Sequence, residues 1–438
     1  MWLTPGENIG ERLERVCFYL AFASAASILI SIALSQFLLG TAIVCLLVAR
    51  EKLRFPPLKL PLAFFFLTTL VSLLLCADPR HGLPQIRKFF VFAILLVIAS
   101  TFRRIESIHA LILTWTGFAT FSALYSFTQF FHRFHQAQLE RPSYYGYFLD
   151  ARITGFASHW MTFGAEQMIV LLMLLSYLFF WPSPRWKLLG LVCLFLLWGS
   201  MLLGLTRSIF LLGTPIGALY LIWNWKKRML VAVPVLALLI VLCAPFELRE
   251  RIKSVFQPHP DWDSNQRHLI MARTGWEMIK AHPWFGVGPE QVGVQFLNYV
   301  PKDILRPLPK GWYGHLHNVY VQYAAERGIP ALIAILWLIA KALFDFRRAL
   351  QTGKQSGQAR SVLNGAIASI LAVLAEGFFE HNLGDSEVLT MVLIVIACGY
   401  VVVGFANSSG YERFADIGEE AVEFIRRGAT HEAIENEA

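Results

Sequence analysis

The chain is 438 residues long, 56% hydrophobic and only 16% charged, with a mean hydropathy of +0.52 and a formal net charge of +8. That composition excludes a soluble multidomain protein and places the chain in the membrane class. The distribution of the charge excludes nucleic acid as a partner, because the basic residues fall in short clusters between apolar runs.

Read in order, the sequence predicts an all-α integral membrane protein with about twelve transmembrane helices. The N-terminus, Met1 to Arg15, is polar and has no small-residue cleavage site after a short apolar region, so the first span is expected to be retained. The apolar run from Val16 to Ala49 is too long for one crossing and reads as two, turning near Ser35-Gln36. Further spans are expected at about 58–76, 89–100 and 108–131, then one ending at Trp181, then about 188–203, 209–223 and 230–246. These nine spans make up residues 1–246. The polar stretch 247–314 is expected to form a large periplasmic loop with short helices. Three more spans follow within 315–405, and 406–438 reads as a cytoplasmic tail.

With a cytoplasmic N-terminus, the loops after spans two, four, six, eight and ten face the cytoplasm. They hold Arg50/Lys52/Arg54, Arg103/Arg104, Arg185/Lys187, Lys226/Lys227/Arg228 and Arg347/Arg348, as the positive-inside rule requires. The six cysteines (Cys17, Cys45, Cys76, Cys193, Cys243, Cys398) all lie in apolar runs without metal spacing, so neither a disulfide framework nor a metal site is expected.

Basic residues on the outer face are not explained by topology. Thr206-Arg207-Ser208 joins two spans almost without a loop and holds Arg207 at the bilayer surface, where a guanidinium either snorkels to headgroups or grips phosphate. In the large loop, Leu269, Ala272, Trp276 and Ile279 recur at helical spacing and predict an amphipathic surface helix carrying Arg267 and Arg273. Gly286-Val-Gly288 has neither the preceding strand nor the following Gly-Lys-Ser/Thr of a nucleotide loop. His317 and Asn318 stand at the water-facing mouth of the tenth span, and Gly328-Ile-Pro330 breaks it about three turns later. Imidazole titrates near ~6.5, so His317 suits a general base for a hydroxyl, or else a structural bond to a carbonyl. His315 makes a metal pair conceivable, but residues two apart do not share a helical face. Asn318 and Gln322 lie four apart and could orient a hydroxyl or bond each other. Arg80, Arg87, Lys88, Arg141 and Arg152, with Tyr144, Tyr145 and Tyr147, form a basic aromatic rim that reads equally as a substrate rim or an interfacial belt. Glu376 and Glu380-His381 are further candidates at the outer end of the eleventh span.

His317-Asn318, nine residues and then Gly328 resembles the signature of the bacterial O-antigen ligase and polymerase superfamily. Thr206-Arg207-Ser208, Arg152-Ile-Thr-Gly155 and the segment from Arg267 to Gly288 agree with it, and the large loop directly precedes the histidine. Ile329-Pro330 after Gly328 departs from the Gly-Thr continuation of ligases, which leaves ligase and polymerase open. The resemblance implies a GT-C-like membrane glycosyltransferase of lipopolysaccharide or polysaccharide biosynthesis, independent of metal and cofactor. Its donor would be a glycan on undecaprenyl pyrophosphate, and its acceptor lipid A-core or another glycan, at the periplasmic face of the bacterial inner membrane. His317 and Arg207 would then be catalytic, and Arg267, Arg273, Arg152, Arg87, Asn318 and Gln322 would bind substrate. The other class in play is a lipid-linked glycan transporter, against which stand the absence of a duplicated half and the gathering of charge on one face.

Overall fold

The computed structural model describes residues 9–50, 52–140, 152–181, 187–232, 234, 249, 252–253, 265–309, 313–352 and 355–404. Among them the chain is entirely helical. Helix α1 is Ile9–Ser27, α2 Ile32–Val48, α3 Lys59–Leu75, α4 Pro79–Arg87, α5 Ala93–Thr101, α6 Ile105–Glu140, α7 Trp160–Phe180 and α8 Lys187–Leu203. A π-helical turn, Ser208–Gly213, leads into α9, Thr214–Trp225. Then come α10 Asn265–Ala281, α11 Gln291–Tyr299, α12 Val319–Arg327, α13 Ile329–Thr352, α14 Gly357–Glu376 and α15 Ser386–Gly404.

Seven of these segments are long and apolar enough to cross a membrane, with α4–α5 running as one from Pro79 to Thr101 through a 3-10 turn; α2, α3 and α8 are shorter apolar helices. The expected ninth span, apart from residues 230–232 and 234, and the tail lie outside the described residues. Helices α7, α14 and α15 form the centre, 83%, 78% and 83% buried, against 39–44% for the other four candidate spans. The outer helices turn Phe37, Leu60, Leu74, Leu188 and Phe195 outward, an apolar surface that suits lipid and would be costly in water. Glycines let the centre close. A Cβ at Gly213 or Gly217 of the seam with α14 would press on the Ala372 and Ala368 carbonyls.

Three boundaries differ from expectation, each for a local reason. The first hairpin turns at residues 28–31 instead of Ser35-Gln36. Ser31 caps α2, and the polar Ser35 sits inside the helix pair, exchanging hydroxyl-to-carbonyl bonds of 2.8 Å with Ser24 in both directions. The fourth span begins at Pro79, because Asp78 accepts from the Arg80 and His81 amides and Pro79 takes the first turn. The segment after His317 is a separate short helix, α12, and the tenth span starts only at Ile329. Gly328 divides them with φ +84°, and a Cβ there would overlap the Trp284 carbonyl.

The outer subdomain packs a small core of its own: Met271 and Met278 of α10, Val292 and Phe296 of α11, and Leu316 and Ala324 beside them. Helix α10 is where the spacing placed it, and Ile279 of the expected stripe is buried, but the rest of the face turned inward is Ile270, Met271, Thr274, Gly275 and Met278. Leu269 and Trp276 point outward.

Candidate active site

Between α10, the π-helical turn, the start of α7 and the segments on either side of α12 and α14 lies a cavity of about 710 Å³. Arg152, Arg207, Arg267 and His317 all line it. Each is placed by identifiable local structure.

Leu205 adopts a left-handed backbone, φ +52°, and ends α8 so abruptly that Thr206, Arg207 and Ser208 form the cavity wall before the chain re-enters the membrane. The Arg207 guanidinium donates to Asn265 Oδ1 at 2.7 Å, at the first residue of α10. Arg267, one half-turn on, lies on the same side of α10 as the inward-facing Met271, one turn away, and reaches the cavity. Arg152 is held through its backbone. Gln129 Oε1 accepts from the Thr154 and Gly155 amides at 3.1 and 3.0 Å, Ser122 Oγ from Phe156 at 3.0 Å, and Arg133 donates to the Arg152 carbonyl. Its guanidinium stacks over Trp160, 5.2 Å from the ring centre.

His317 is in a left-handed conformation, φ +47°, uncommon for a residue with a Cβ and of a kind that gathers at functional sites. Its Nδ1 lies 3.0 Å from Glu380 Oε2, on the buried turn after α14. Around it stand His315, its ring centre 4.1 Å away, and His268 at 5.2 Å, while His159 and Glu380 complete that side of the cavity. Residues 313–318 are not helical, so the two-residue spacing of His315 and His317 brings their rings together, contrary to the helical-face expectation. Among the described residues no group of three His, Cys, Asp or Glu is placed to hold a metal ion.

Burial dominates the electrostatics. It pushes the His317 imidazole down to about 4, with the charge of Arg267 adding to the effect, and His315 down to about 3, with its neighbouring histidines adding. Burial likewise raises the Glu380 carboxyl well above the usual carboxylate range, and Arg152 pulls against that rise. The cavity therefore offers a neutral imidazole on a carboxyl together with three guanidinium groups.

The remaining candidates lie elsewhere. Arg273 is exposed and gives both bonds to Asp303, at 2.8 and 3.0 Å. Arg87 is exposed and outside the cavity, whereas its neighbour Lys88 turns inward to the Gly384 carbonyl at 2.9 Å. Asn318 caps α12, accepting from Tyr320 and Val321 and donating to the Phe378 carbonyl at 2.9 Å. Gln322 is buried and bonds Leu316 and Glu326 instead of Asn318. Arg141 and the tyrosines at 144, 145 and 147 lie outside the described residues. Glu380, ranked last from sequence, and His159 and His268, not singled out at all, are cavity residues. Glu380 was traceable only through span parity, which puts the end of α14 on the face of His317; nothing local marks the two histidines.

No curated protein matches the chain. Residues 192–336 match the family model described as O-antigen ligase, a stretch that takes in Arg207, Arg267 and His317 but ends before Glu380. Over that stretch the chain is similar to O-antigen ligases, and the seven long apolar helices among the described residues suit a multi-pass membrane protein.

Proposed function

We propose that the chain transfers a glycan from undecaprenyl pyrophosphate to a hydroxyl of lipid A-core at the periplasmic face of the bacterial inner membrane. The observation that carries this reading is the His317–Glu380 pair, which shares one cavity with Arg207 and Arg267. In the active form Nδ1–H donates to an ionised Glu380, which leaves Nε2 to take the acceptor's proton. The acceptor oxygen forms its bond to the anomeric carbon as the glycosyl–phosphate bond breaks, and the electron pair of that bond leaves with the diphosphate. Arg207 and Arg267 hold the diphosphate oxygens, and their charge counts for more in a water-poor cavity than in bulk solvent. Arg152 works against the burial that raises the Glu380 carboxyl and so favours its ionised form, and the Glu380 carboxylate supports the imidazolium once formed. Arg273, Arg87, Asn318 and Gln322 take no direct part.

Surface-glycan attachment in a deletion strain carrying His317→Ala or Arg207→Ala tests the reading. The expected loss is about 10²–10⁴-fold for the base; attachment at the wild-type level in both strains would end the proposal. The second reading is polymerisation, favoured by Ile329-Pro330 where ligases continue Gly-Thr. Purified protein given lipid-linked repeat units alone separates the two, since only a polymerase lengthens the chain without a core acceptor.

A further inference from the structure

Outside the cavity lining lies a chain of buried polar side chains. Gln322, Glu326, Arg327 and Gln85 are each 2–6% exposed. Gln322 Oε1 accepts the Leu316 amide at 2.8 Å, and its Nε2 donates to Glu326 Oε2 at 2.8 Å. Glu326 Oε1 accepts the Glu290 amide at 3.2 Å and lies 3.5 Å from Arg327 Nε. Arg327 donates to Gln85 Oε1 at 2.7 Å, and Gln85 donates to the Glu290 carboxylate, closing a ring over three segments of chain. Burying so many polar groups is costly unless each is satisfied, and a ring of this kind fixes one geometry.

What it fixes is the backbone that carries His317. The amides of Leu316 and His317 are both taken by side chains, the first by Gln322 and the second by His315 Nδ1 at 3.2 Å. The left-handed His317 costs conformational energy that a chain held only by water would shed. Asn318 and the Gly377 carbonyl, which accepts from Val319, hold the other side of the residue. The acceptor atom of Gln322 is thus the nearest side-chain restraint on the turn from within α12.

We infer that Gln322 is a positioning residue: through Leu316 it holds His317 in its left-handed conformation with Nδ1 on Glu380, and the Glu326–Arg327–Gln85 ring holds Gln322. This rests on the reading of His317 as the base. Leucine or methionine at 322 removes the acceptor but keeps the bulk. Glutamate keeps an acceptor for Leu316 and, when protonated, a donor to Glu326, while adding one ionisable group beside that carboxylate.

The test uses purified full-length protein and has two arms. Carbethoxylation of His317 by diethyl pyrocarbonate, resolved from His315 by tandem mass spectrometry, is followed against pH with His282 as an outside reference. The charged and titratable groups facing His317 are Glu380, His315, His268, His381, Arg267, His159, Arg152 and Arg207; all are unchanged in the variants, and Gln322→Glu alone adds a carboxyl. In Gln322→Leu the midpoint for His317 moves up towards that of a free imidazole, near ~6.5, while His282 stays put. In Gln322→Glu the shift is smaller. In the second arm, the glycan-transfer rate of Q322L falls about 10²-fold at unchanged KM, the cost of a base displaced by ~1 Å, and Q322E recovers much of it. Should Q322L fail to insert, Gln322→Met carries the same expectations. A wild-type midpoint in Q322L or Q322M overturns the inference. A shifted midpoint in a protein whose wild type transfers no glycan leaves the positioning role standing and removes the functional reading instead.

Discussion

A neutral imidazole can act as a base only if the nitrogen facing the substrate carries no proton, so the ionisation of Glu380 matters as much as that of His317. Adding one proton to the pair gives either a carboxylic acid beside a neutral ring or a carboxylate beside an imidazolium, and both are idle. Burial raises the Glu380 carboxyl, and the cation of Arg152 works against it. Removing that cation raises the carboxyl further, so the active form is lost at higher pH on the acid side. In Arg152→Gln the acid limb of the transfer rate, measured between about pH 5 and 8, therefore moves to higher pH; a limb that stays put would remove Arg152 from the mechanism. The two arginines of α10 give a second contrast. Arg267→Ala should cost about 10²–10³-fold in turnover, as expected for a lost charge-stabilising donor. Arg273→Ala should leave turnover unchanged, because its partner is the exposed Asp303. Equal losses in purified variants would contradict the placement of α10.

Between α12 and α13 the chain needs Gly328. Its φ of +84° with ψ 163° belongs to a region essentially reserved for glycine, and a side chain would meet the Trp284 carbonyl. Gly328→Ala should cost at least ~1–3 kcal/mol in stability from backbone strain alone, read as a lower unfolding temperature in detergent and reduced transfer; an unchanged melting curve would refute the packing. That glycine and α10 were legible in the sequence, because each announces itself within a few residues: a breaker, a helical spacing. Several span boundaries were not, because the Asp78 cap, the Gly328 break and polar residues satisfied inside helices moved them. Ser35 read as a loop because its partner Ser24 belongs to the preceding helix. Asn318 and Gln322 read as substrate ligands for the same reason. Their partners, Phe378 and Leu316 among them, are set by packing that no local pattern reveals.

For the whole molecule, charge and architecture agree on two unlike ends. Arg347 bonds Asn224, and Tyr400 bonds Asp345, at 3.1 and 2.7 Å, which ties the ends of α9, α13 and α15 together on the side away from the cavity. Lys226, Lys227, Arg228 and Arg348 belong to this end. At the other end Arg152, Arg207 and Arg267 are drawn inward around the cavity, and Lys280 and Lys302 ride on the subdomain of α10 and α11. Positive residues flanking spans favour the cytoplasm, so the cavity end is expected to face the periplasm. Single cysteines placed in a variant lacking the native six decide the orientation. Lys280→Cys and Lys302→Cys should react with a membrane-impermeant maleimide in cells whose outer membrane alone is permeabilised, while Lys227→Cys and Arg348→Cys should react only after the inner membrane is opened. The reverse pattern would put the cavity on the cytoplasmic side, where a glycan already carried across the membrane could not reach it, and would exclude the proposed transfer.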